Sequence, residues 1–137
     1  MDRLKITVGD VVFIAKLELE KAPLTCAAFL KHVPFTSKLV QARWSGESAW
    51  IPLGAMQFGV GYENHTSYPS AGEILLYPGG ISETEILFPY GATHFASKMG
   101  QLAGNHFLTI SEGREQLAEV GRRVLWQGAQ PIVFAEL

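Results

Sequence analysis

The chain has 137 residues, of which 47% are hydrophobic and 18% are charged, and its formal net charge is −2. This length and composition predict one domain, residues 1–137, with a substantial apolar core. The eleven Lys and Arg residues are scattered, and Arg122 and Arg123 are their only adjacent pair. Without a basic stripe that could follow a phosphate backbone, nucleic acid is not expected as a partner.

The N-terminal residues alternate between polar and apolar from Met1 to Ile6, without the long apolar run of a signal peptide or a membrane span. We therefore expect a cytoplasmic protein with no membrane partner. The single cysteine, Cys26, rules out an intrachain disulfide, and its place in an apolar helical pattern indicates a small core residue.

Alternating polar and apolar residues predict an opening β-hairpin with strands at 4–8 and 13–19. Pro23 then suits the first turn of a helix, whose apolar residues repeat at helical spacing until Pro34 prevents its continuation. We expect this helix to cover an open end of the sheet.

A second hairpin is predicted from residues 38–44 and 49–53, which are joined by a polar turn. This assignment places Arg43 on the third strand and crowds two tryptophans at one end of the hairpin. Gly, Tyr, Asn, Ser and Pro are then frequent over residues 54–72, which indicates a long surface loop.

The third predicted hairpin has strands at 73–78 and 82–89 around a Gly-Gly turn. Its second strand carries Glu83 and Glu85 on one face, since alternate residues of a strand point the same way. Such a pair resembles the carboxylates of acid–base catalysis, but alternating acids are more typical of a solvated sheet face. We therefore predict a solvated face here.

The remaining elements are a strand at 106–110, a helix that Ser111 caps and Gly121 ends, and a final strand at 131–137. Together the segments give about eight mostly antiparallel strands and two short helices. The predicted fold is mainly β, and an antiparallel barrel is the expected architecture.

Two segments of the sequence resemble the cyclophilins. Residues 22–30 carry Pro23, Thr25 and Phe29 at the positions of a helix motif that follows the second strand in that family. Residues 96–108 resemble the family's loop of Ala, Asn and Gly and the strand after it. The resemblance implies a single cyclophilin-like closed β-barrel, closest to a bacterial group of short cyclophilin-like proteins of unknown function.

The same resemblance places His106 where the family has a groove glutamine, Leu108 near a groove phenylalanine, and Arg43 at the catalytic arginine. It implies prolyl isomerase activity, in which a guanidinium weakens amide resonance beside an apolar pocket. The chain departs from the family at residues 51–56, which lack its Gln-Gly-Gly-Asp run, and after Ile110, where no groove tryptophan follows. A weak or specialised peptidyl-prolyl isomerase is therefore kept as an alternative.

Arg43 also suits a different function, because a guanidinium offers a fixed fork of donors to a carboxylate or an amide. We predict a groove on the barrel surface that binds a small organic ligand with such a group. In this groove Arg43 binds the ligand and tryptophans form the walls. Polar side chains of the strand predicted near residues 106–110 orient the ligand. If the protein is an enzyme, Arg43 is the predicted catalytic residue. The predicted ligand-binding residues are Arg43, Trp44, Trp50, Met99, Asn105, His106, Phe107 and Leu108.

A second alternative is a homo-oligomeric interaction module that uses aromatic residues such as Trp126 and Phe134 as its contact surface. In that case Trp44 and Trp50 belong to the core or to a subunit interface. No cofactor or metal is predicted, because the four histidines lack HxH or HxxxH spacing and no phosphate-binding glycine motif occurs.

Overall fold

Eleven β-strands and two α-helices make up the computed structural model, which describes residues 1–137. Neither helix has the length and apolar character needed to cross a membrane. The elements in chain order are β1 (Arg3–Val8), β2 (Val11–Leu17), α1 (Pro23–Leu30), β3 (Phe35–Gln41), β4 (Gly46–Gly54), β5 (His65–Thr66), β6 (Glu73–Tyr77), β7 (Thr84–Thr93), β8 (Ala96–Ser97), β9 (Gly100–Gln101), β10 (Gly104–Glu112), α2 (Leu117–Gln127) and β11 (Gln130–Glu136).

Eight of the strands close into an antiparallel barrel, which confirms the predicted fold class. Around the barrel the order is β2, β1, β11, β3, β4, β7, β6 and β10, and β10 pairs back onto β2 with Leu108 opposite Leu17. Closure pairs the strands that would otherwise be sheet edges. The short strands β8 and β9 pair only with each other, and we call this two-stranded unit the flap.

Alternate residues of the barrel strands fill its interior. Strand β1, for example, buries Leu4, Ile6 and Val8, while Lys5 and Thr7 between them face outward. Phe29 of α1 inserts into this core, and its ring centroid lies 5.1 Å from the centroids of both Phe107 and Phe134 in edge-to-face geometry. These contacts fix α1 on the barrel.

A second, smaller apolar cluster lies on the outer face of the barrel. Strand register places Trp50 of β4 opposite Leu87 of β7, and Leu87 opposite Leu75 of β6. Phe95 and Leu102, which flank the flap, cover this patch and are themselves only 0% and 2% exposed. Strand β7 is therefore buried on both of its faces.

The long loop predicted between β4 and β6 is present, and it contains the two-residue strand β5. The buried amide of Asn105 holds the loop, accepting from the Glu63 N–H at 3.1 Å and donating to the Gly61 carbonyl at 2.9 Å. It also donates to the Thr25 hydroxyl at 3.0 Å, which in turn donates to the Glu63 carboxylate at 2.8 Å. Asn105 thus ties the loop to α1 and β10.

Helix α2 differs from the predicted helix at both ends. It begins at Leu117, after a short 3-10 helix at Arg114–Gln116, and continues through Gly121 to Gln127. Gly121 does not end the helix, because its missing side chain makes room for the ring of Tyr90. A Cβ at this position would overlap that ring.

The substitution Gly121→Ala tests this close approach of α2 to the barrel. In an open helix position the change would stabilise by about 1 kcal/mol, whereas here we expect a loss of about 2 kcal/mol because the methyl group overlaps Tyr90. Chemical denaturation measures the free energy of unfolding. In a Tyr90→Ala background the same change should be neutral or stabilising. Stabilisation in the wild-type background would contradict the packing.

Candidate functional site

A cavity of about 410 Å³ opens on the outer face of the barrel, and we call it the outer groove. It is surrounded by residues 40–45 at the end of β3 and in the connection to β4, residues 82–83 before β7, and residues 96–98 at the flap, together with Trp50 and Glu85. Sites for small molecules typically have volumes of roughly 300–1,000 Å³. The outer groove is thus large enough for a small organic ligand.

Strand alternation explains why Glu85 faces the outer groove. Ile86, the next residue of β7, points into the barrel core, so Glu85 points outward. Its cross-strand partners are Pro52 of β4 and Tyr77 of β6, and Glu85 is only 6% exposed. The predicted solvated acidic face is therefore wrong for Glu85, and only Glu83, which precedes β7, is exposed.

Burial makes Glu85 an unusual acid. Desolvation, with a smaller contribution from the negative charge of Glu83, raises the pKa of Glu85 from 4.5 to about 8. Glu83 itself accepts a hydrogen bond from the Gly54 N–H at 2.9 Å. At neutral pH the outer groove is therefore lined by a carboxylic acid that is mostly protonated.

Arg43 lies in the connection after β3, and the prediction that it is on the third strand is wrong because β3 ends at Gln41. Its guanidinium carbon is 5.3 Å from the ring centroid of Trp44, which is a cation–π contact. The ion pairs of the protein involve other cations. Glu47, a potential partner across the turn, instead accepts from the Ala92 N–H at 2.9 Å. Arg43 is thus an unpaired cation at the groove.

Hydrogen bonds between side-chain hydroxyls and backbone groups hold the groove walls in place. The Ser45 hydroxyl donates to the Ala96 carbonyl at 3.0 Å and accepts from the Ala96 N–H at 3.1 Å, which joins the β3–β4 connection to the flap. At the β6–β7 turn the Tyr77 hydroxyl accepts from the N–H groups of Ile81 and Ser82 at 2.9 and 3.2 Å. These hydrogen bonds tie the groove walls to the flap and to the β6–β7 turn.

The predicted ligand-binding residues of β10 do not line the outer groove. Phe107 and Leu108 are fully buried in the barrel core, and Asn105 belongs to the network that anchors the long loop. The His106 ring is engaged with its own strand, where Nε2 lies 2.7 Å from the Thr109 hydroxyl oxygen. The single groove predicted to contain both the arginine and these residues does not form, because β10 is a closing strand of the barrel.

The predicted residues that do come together are Arg43, Trp44 and Trp50. Trp44 is 53% exposed, whereas Trp50 is half-buried against the outer apolar cluster. Met99 is exposed in the turn of the flap and does not line the groove, although its neighbour Lys98 does.

Sequence reasoning missed the contribution of Glu85 and Lys98 to the site. One signal for Glu85 was available: residues 86–88 read Ile-Leu-Phe, and an uninterrupted apolar run indicates a strand buried on both faces. No three or more His, Cys, Asp or Glu side chains come together in a way that could hold a metal ion.

The protein thus belongs to the class of closed antiparallel β-barrels, and it carries a polar and aromatic groove on the outer face of the barrel. The family described as "Protein of unknown function (DUF3830)" matches residues 4–136, and the chain belongs to this family. No curated protein matches the chain.

Two solved structures share the fold. McbB, solved in complex with tryptophan, has a TM-score of 0.68 and 14% identity over 97% of this chain and 44% of the McbB chain. The hypothetical protein AF2241 from Archaeoglobus fulgidus has a TM-score of 0.66 and 19% identity over 99% of this chain and 95% of its own. This chain therefore spans less than half the length of McbB.

The substitution Glu85→Gln tests whether the buried acid is neutral in the folded protein. Its pKa of about 8 exceeds the ordinary value of 4.5, so the folded state holds the proton longer and the wild type loses stability as pH rises between these values. The uncharged amide avoids this loss. We expect the variant to be more stable than the wild type by ~4–5 kcal/mol above pH 8 and about equally stable at pH 4.

Urea denaturation at both pH values measures this difference in the free energy of unfolding. The exposed Glu115→Gln is the matched control for removing a carboxyl group. A stability difference between Glu85→Gln and the wild type that does not change with pH would contradict a raised pKa.

Proposed function

We propose that the protein binds a small organic ligand with a carboxylate or amide group in the outer groove. The observation that carries this proposal is the Arg43 guanidinium, which lies over the Trp44 ring at the groove without a carboxylate partner. An unpaired arginine fork can donate two parallel hydrogen bonds to a ligand carboxylate.

The two tryptophans favour a ligand with a flat apolar body. Trp50 is held against Leu87 and its neighbours, so it offers a fixed wall. Trp44 exposes about half of its surface, and a planar ligand stacked on it would remove apolar area from water.

The fold likeness to McbB supports the same class of ligand. McbB was solved in complex with tryptophan, an aromatic molecule that carries a carboxylate. At 14% identity the shared feature is the barrel, and in this chain the proposed binding depends on its own Arg43 and tryptophans.

We also propose that the barrel is cyclophilin-like and that residues 1–137 act as one domain. A helix directly after the second strand and a closed eight-stranded barrel support this assignment. A prolyl isomerase has weaker support, because Leu108, which the resemblance places in the groove, is buried inside the barrel together with Phe107.

Removal of the guanidinium should weaken the binding of an aromatic carboxylate. We expect Arg43→Ala to bind 3-(indol-3-yl)propanoate about 10–100-fold more weakly than the wild type, since hydrogen bonds to charged groups contribute ~1.5–3 kcal/mol. Isothermal titration calorimetry measures the affinity. Lys38→Ala, which removes an exposed cation of β3 outside the outer groove, is the matched control and should bind like the wild type.

Equal affinity of Arg43→Ala and the wild type would contradict the proposal. So would a failure of 3-(indol-3-yl)propanoate, its amide and tryptophan all to bind the wild-type protein. Accelerated cis–trans isomerisation of an X-Pro peptide, lost in Arg43→Ala, would favour the isomerase alternative instead.

A further inference from the structure

We propose that the ligand of the outer groove is a zwitterion, with an ammonium group bound by Glu85 and a carboxylate bound by Arg43. This inference rests on the proposed function and adds that the ligand carries an amine. The chemical class is that of free amino acids with planar or apolar side chains.

Glu85 is a buried acid without a partner. It is 6% exposed, lines the outer groove, and receives no hydrogen bond or opposite charge from the protein. Buried carboxyl groups are ordinarily paired or hydrogen-bonded, because leaving them unpaired is costly. An unpaired acid on the wall of a cavity can pair with a group of a bound ligand.

The charged and titratable groups that face Glu85 favour a cation as this partner. Glu83 is a like charge beside it, and the Tyr77 hydroxyl on the neighbouring strand accepts from two backbone N–H groups and makes no hydrogen bond to Glu85. Arg43 and Lys98 line the same groove but are exposed, and neither pairs with Glu85. An ammonium group close to both acids would relieve their repulsion.

A bound ammonium group requires Glu85 as a carboxylate, so binding is linked to the loss of one proton. The pKa of Glu85 in the free protein is about 8, so at neutral pH only a minor fraction of the protein molecules have ionised Glu85 and can bind the ammonium group. The affinity for a zwitterion should therefore rise about tenfold for each pH unit up to about pH 8, where the ligand amine is still protonated.

A ligand with a second acidic group in place of the amine would use Glu85 differently. The protonated carboxyl would donate a hydrogen bond to the anion, and affinity would fall as pH rises above 8. The nearby charge of Glu83 opposes such an anion. The sign of the pH dependence therefore distinguishes the two ligand classes.

Matched ligands that differ only in their charged groups test the inference. One set is tryptophan, 3-(indol-3-yl)propanoate without the amine, and tryptamine without the carboxylate; phenylalanine, 3-phenylpropanoate and phenethylamine form a second set. Calorimetry on the wild type and on Glu85→Gln, between about pH 6 and pH 8, gives the affinities. Glu85→Gln keeps the shape of the protonated acid but cannot ionise.

We expect the amino acid to bind the wild type at least tenfold more tightly than the matching propanoate at pH 8, and we expect this preference to shrink with falling pH. In Glu85→Gln the ratio of the two affinities should fall to near one at every pH. Proton release on binding, measured in buffers of different ionisation enthalpy, should accompany the amino acid only.

Propanoates that bind the wild type as tightly as the amino acids would overturn the zwitterion but leave the proposed function standing. Binding by the amines alone would overturn the role of Arg43 and with it both proposals. An affinity for the amino acids that falls as pH rises towards 8 would overturn the ammonium site, and no binding by any of the six compounds would overturn both proposals.

Discussion

The pairing of β10 with β2 closes the barrel. The packing of α1, the anchoring of the long loop and the place of the outer groove follow from this closure. Because β10 is also paired with β6, its backbone is fixed on both sides and its apolar residues turn inward. Phe107 meets the ring of Phe29 in the core, while Asn105 reaches the long loop. The strand that most resembles a cyclophilin binding strand is thus used for packing.

The barrel interior is filled with apolar side chains, so the outer groove lies on the outside of the barrel. On the outer face of β4, β7 and β6 the flap covers part of an apolar patch, and the outer groove lies at the end of that patch near Trp50. Glu85 lies on this face between Pro52 of β4 and Tyr77 of β6, and its burial there raises its pKa. The packing of this outer face therefore also sets the chemistry of the groove.

The long strands and α1 could be predicted because residue alternation and the first-turn proline are local signals, whereas the closure of the barrel was implied by the resemblance to the cyclophilins. Arg43, Trp44 and Trp50 could be grouped because they lie close together in sequence. The faces of β10 could not be predicted, since a register shift between His106 and Leu108 breaks simple alternation. The role of Gly121 in α2 could not be predicted either, because the ring that it accommodates belongs to Tyr90 of β7.

A carbon-13 NMR titration of the Glu85 carboxyl group in the free protein, assigned by its absence in Glu85→Gln, tests the central claim most directly. A buried, unpartnered acid at the outer groove should titrate with a pKa of about 8, well above the ordinary value of 4.5. A midpoint near that ordinary value would show that Glu85 is solvated or already paired. Glu85 would then not be the buried, unpartnered acid on which the ammonium site depends.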